Sequence, residues 1–77
     1  MNPLQENINL SINQISEYLA KNQKATSWQL KVMLKVSSSV LYLALGALYQ
    51  QGKIALEADG INYNVTWTQS SAETQNN

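Results

Sequence analysis

The densest cluster of reactive groups in the chain is Ser37-Ser38-Ser39, just beyond Lys35. A serine beside a lysine can serve as nucleophile and base in acyl transfer. The other candidates are the carboxylates Glu6, Glu17, Glu57, Asp59 and Glu73, which could do acid–base work as a close pair. Glu6 and Glu73 lie near the ends, Glu17 on a helix surface, and Glu57 and Asp59 in the hairpin. The chain also lacks His and Cys, and so lacks the commonest general base, metal ligand and thiolate nucleophile. Gly46, Gly52 and Gly60 are isolated, so no glycine-rich loop cradles a phosphate. The serine triplet precedes an apolar periodic run. It therefore reads as a helix cap, its hydroxyl accepting from orphan backbone amides. A catalytic site, a cofactor and a metal are not expected.

These residues sit in elements that the periodicity marks out. Ile8, Ile12, Ile15 and Leu19 recur at helical spacing and predict an amphipathic helix from about Leu4 to Lys21, stopped near Asn22. Ala25 and Thr26 then read as a short link. Thr26 followed by Gln29 fits a capping box and opens a second helix, about Ser27 to Lys35. A third helix is expected from about Ser38 to Gln51, ended by Gly52 in a left-handed conformation. Its residues Leu41, Leu45 and Leu48 fall on one inward face.

After Gly52 the period changes to two. Ile54, Leu56 and Ala58 alternate with Ala55 and Glu57. Ile61, Tyr63, Val65 and Trp67 alternate with Asn62, Asn64 and Thr66. Asp59-Gly60 between the runs predicts a hairpin with a type I′ turn. That loop sets Ala58 opposite Ile61, Leu56 opposite Tyr63 and Ile54 opposite Val65. Residues 1–67 would form one domain, followed by a disordered polar tail over 68–77. Helix, helix, tight turn, helix and hairpin is the order of a winged helix-turn-helix: mainly α, three helices plus a two-stranded antiparallel wing.

The chain of 77 residues carries no formal net charge at pH 7. Weak steering towards any polyanion follows. No run suits a membrane span or a signal peptide, which makes the cytoplasm the expected compartment. A domain this small buries only about 60% of its unfolded surface. Without disulfides or metal, association with a second chain is a natural source of further stability.

The third helix sharpens this expectation. A DNA reader places Arg, Lys, Asn or Gln on its outward face. Here no cation lies between Lys35 and Lys53, and Asp59 near the hairpin tip would repel phosphate. Tyr42, Leu43, Gly46, Ala47 and Tyr49 instead form a second apolar stripe. Three partners compete for it: the wing or first helix of the same chain, another protein (an identical copy in the simplest case), or DNA. A DNA-binding regulator would use Lys31, Lys35, Ser38, Ser39 and Lys53 on the backbone. Docking onto a larger complex is a further alternative. No small-molecule substrate is expected.

The run Tyr42-Leu43-Ala44-Leu45-Gly46-Ala47-Leu48, then Gly52-Lys53-Ile54, resembles the short stand-alone winged helix-turn-helix proteins of bacteria and archaea that form a domain-of-unknown-function family. The resemblance covers about Ile8 to Trp67. It implies the fold and a small stand-alone domain, without an activity or transferable site residues. Ala47 stands where many relatives carry a large aromatic.

Overall fold

The computed structural model describes residues 2–69. The chain order is α1 (Pro3–Asn22), β1 (Lys24–Thr26), α2 (Ser27–Leu34), α3 (Ser38–Gln50), β2 (Ile54–Asp59) and β3 (Asn62–Trp67). Three helices cover one face of a three-stranded antiparallel sheet ordered β1-β3-β2. The expected disordered tail falls largely outside the described residues. Thr68, assigned to it, is held instead: its amide donates to the Lys53 carbonyl at 3.0 Å.

Local chemistry sets each helix boundary. The Asn2 side chain accepts from the Leu4 amide at 2.8 Å and caps α1, with Pro3 in the first turn, where its missing N–H is no loss. Gln23, rather than Asn22, closes the helix at φ 73°. Thr26 and Gln29 form the reciprocal capping box expected for α2, at 3.0 and 2.9 Å. Lys35 ends α2 in the left-handed region, φ 56°. Ser37 caps α3 by accepting from the Val40 amide at 3.2 Å. Gly52 has the positive φ expected after α3.

The core is built from one stripe of each helix and the inner face of the sheet. Ile15, Leu19, Leu30, Leu41, Ala44, Leu48 and Val65 are fully buried, with Leu45 and Ile54 nearly so. Ala44 joins the three leucines of α3 because it lies about 40° beyond Leu48 around the helix, on the edge of the same face. Burying a leucine of this kind contributes about 1.5–3 kcal/mol.

Two features of the sheet correct the sequence-based expectation. The sheet has three strands, because Lys24–Thr26 is a strand rather than a link, with Ala25 opposite Val65. Three residues with one apolar centre carry no alternation signal, so their pairing follows from the tertiary contact. The hairpin register is also displaced by two residues. Asp59 pairs with Asn62, Ala58 with Tyr63, Leu56 with Val65 and Ile54 with Trp67. The loop is therefore Gly60-Ile61, with Gly60 at φ 66° and Ile61 outside the positive-φ region. That pattern suits a turn with glycine first, and spares Asp59 a left-handed conformation.

Candidate interaction face

α3 lies on β2, while α2 packs against β3 and β1. The third helix therefore occupies the β2 side of the molecule. Its outward surface is the candidate site. Leu43 is 50% exposed, Tyr49 57% and Tyr42 43%, and Ser39, Gly46 and Gln50 are exposed beside them. Ala47 is half-buried, so it belongs to the flank of this surface.

The hairpin covers part of the stripe. Tyr42 meets Tyr63 edge to face, the ring centroids 5.9 Å apart and the planes at 84°. Both rings keep two-fifths of their surface exposed, so the contact extends the apolar face onto the hairpin. The Tyr63 backbone is positioned from the other side. Its amide donates to the Ser27 hydroxyl at 3.0 Å, across 36 residues of chain. Ser27, almost fully buried, continues the β1 ladder one step beyond Thr26 with a side chain in place of a carbonyl.

Gly46 has no close neighbour: a methyl group built there would meet nothing within 4 Å. The glycine is thus not required by any approach within the chain. Mid-helix glycine costs about 1 kcal/mol against alanine, and nothing inside the described fold offsets it.

Sequence reasoning missed other exposed apolar residues. Ile61 was placed inward opposite Ala58 and Asp59 near the tip. The tip is Gly60-Ile61, and Ile61 is 91% exposed. The shifted register moves Ile61 from the strand into the turn. Trp28 and Val32, one turn apart on α2, are likewise more than half exposed. Their i, i+4 spacing was the available signal.

The residues assigned to a DNA backbone divide between the α2–α3 junction and the far end of α3. Lys31 is half-buried on α2 and Lys35 exposed at its end; Ser38 and Ser39 open α3, and Lys53 follows its far end. The 13 residues of α3 separate Lys35 from Lys53 by roughly 20 Å of helix. Between those two lysines the helix carries no charge at all.

The Ser37 hydroxyl is engaged as the α3 cap. The described residues hold no cluster of three His, Cys, Asp or Glu suited to a metal. A groove of about 600 Å³ between Tyr18, Gln29, Glu57 and Asn64 is open and mainly polar. No helix among the described residues is long and apolar enough to cross a membrane.

Comparison with protein-family models, with curated proteins and with solved structures gives no match. The resemblance of Tyr42–Leu48 and Gly52-Lys53-Ile54 to the bacterial and archaeal winged-helix family is therefore an expectation from the sequence alone.

Proposed function

We propose that the chain is a non-enzymatic winged-helix interaction module that meets protein, most directly a second copy of itself, through the third helix. In this reading β2 and β3 are the wing, and β1 is the short strand that ties the wing to the first two helices. The observation that carries the proposal is the continuous uncharged face of Leu43, Tyr42 and Tyr49, extended by Tyr63 on the wing. Contiguous exposed apolar surface on so small a protein marks an interaction site. A duplex offers phosphates every few ångströms, and tight binding needs several cations near them. This face supplies none.

The zero net charge also favours the protein reading, since two copies approach without repulsion at neutral pH. Sedimentation of the full chain over a concentration series tests it. The expected result is a monomer–dimer equilibrium that Leu43→Glu shifts towards monomer while the far-ultraviolet circular dichroism is unchanged. Sub-micromolar duplex binding at physiological salt, lost on Lys31→Ala and Lys35→Ala, would overturn the proposal in favour of a DNA-binding regulator.

A further inference from the structure

Two backbone bonds fix which groups of the sheet are free. The Thr68 amide donates to the Lys53 carbonyl at 3.0 Å, which makes Lys53 and Thr68 a hydrogen-bonded pair. In an antiparallel ladder such pairs alternate with pairs that exchange no bonds. Ala55–Thr66, Glu57–Asn64 and Asp59–Asn62 therefore face inward along β2 with their amides and carbonyls. The Trp67 amide, donating to Gln23 at 2.7 Å, agrees, since it leaves β3 on the opposite side. Ile54, Leu56 and Ala58 are left with backbone groups aimed away from β3. Among the described residues β2 has no other neighbour.

Long free edges usually carry protection such as proline, an inward-pointing charge or a bulge. β2 has no proline, and its ladder to β3 runs without interruption from Ile54 to Asp59. Its charges are instead arranged in order. Lys53 precedes the strand, and Glu57 and Asp59 occupy its far half on the face away from the helices.

The geometry points to antiparallel pairing of β2 with β2 of a second copy, centred on Leu56. The inference rests on the proposed self-association and names the seam. A two-fold axis through Leu56 sets Leu56 against itself and Ala58 against Ile54 at either side. Leu56 and Ala58 supply the open part of the seam; Ile54, only 3% exposed, is covered at this edge, and its pair with Ala58 forms only when that cover moves aside. The same register sets Lys53 opposite Asp59 of the other copy, twice by symmetry, in non-bonded pairs where side chains approach closest. Glu57 falls opposite Ala55, with Lys53 of the other copy on its diagonal. A parallel arrangement would place like charges side by side. Because the axis stands perpendicular to the sheet, both α3 helices lie on one face of a six-stranded sheet.

The test is a charge swap read by sedimentation of the full chain. Lys53→Glu is expected to raise the dimer dissociation constant roughly tenfold, since two attractive pairs become repulsive. Adding Asp59→Lys to that variant is expected to restore wild-type association. Hydrogen exchange gives the second measure: the Leu56 and Ala58 amides should gain protection as protein concentration rises. If Leu43→Glu breaks the dimer while Lys53→Glu does not and those two amides stay unprotected, the α3 reading stands and the β2 seam is refuted. A chain monomeric at every concentration refutes both.

Discussion

The Tyr42 ring stands edge-on to the ring of Tyr63, joining the third helix to the strand at the middle of the sheet. This contact ties the orientation of the hairpin to the helix beneath it. Aromatic pairs of this geometry couple by about 0.5–1.5 kcal/mol beyond their burial. Both rings are partly exposed, which places this pair towards the lower end. A double-mutant cycle of Tyr42→Leu and Tyr63→Leu in urea is expected to show that coupling. Strict additivity of the two substitutions would mean that the rings merely lie near each other.

Ser27→Ala is expected to destabilise the fold by about 1–3 kcal/mol, because it leaves the Tyr63 amide without its acceptor. Helix propensity works the other way and favours alanine, so a loss of stability isolates the hydrogen bond. Exchange of the Tyr63 amide should quicken more than that of its neighbour Val65. An unchanged midpoint with an unchanged Tyr63 rate would show that water replaces the hydroxyl.

Gly46→Ala is expected to stabilise the monomer by about 1 kcal/mol, since the added methyl meets only open space and the helix gains a better former. The denaturation midpoint should rise at protein concentrations too low for association. A falling midpoint would reveal a close neighbour at Gly46.

Lys35 holds a left-handed conformation at the junction of α2 and α3. Lys35→Asn or Lys35→Gly is expected to raise stability by a few tenths to about 1 kcal/mol, as both residues enter that region more readily. Lys35→Val should lower stability, because a branched Cβ is the worst fit there. Thermal melts of the three variants give the order. A valine variant as stable as the asparagine one would show that the junction relaxes to another conformation.

The helices were legible because their signals are local. Thr26 with Gln29, Ser37 with its bond to the Val40 amide, and Gly52 each announce a boundary within a few residues. The leucines of α3 gave its inner face. The hairpin was legible in its faces but not in its register. Moving the loop from Asp59-Gly60 to Gly60-Ile61 changes every partner by two residues, which leaves each side chain on the same side. Alternation cannot separate the two. What separates them is the conformation demanded of Asp59, and the partner that Trp67 finds in Ile54. The strand at Lys24–Thr26 and the Ser27–Tyr63 bond were invisible for a related reason: each depends on a partner some 40 residues away. The apolar face of α3 was foreseen, while the contribution of Ile61 depended on the register.

The position of β3 bears on how the protein is made. It follows every other element in chain order, yet it lies between the other two strands and supplies the buried Val65. A nascent chain that has completed Thr26 still waits for Val65, about 2–8 s at ordinary rates of synthesis. During that interval α2 and α3 are added in turn with no sheet to cover, and Leu19, then Leu30 and Leu41, can be seized by any apolar surface nearby. Helper proteins that shield emerging chains have this interval in which to act.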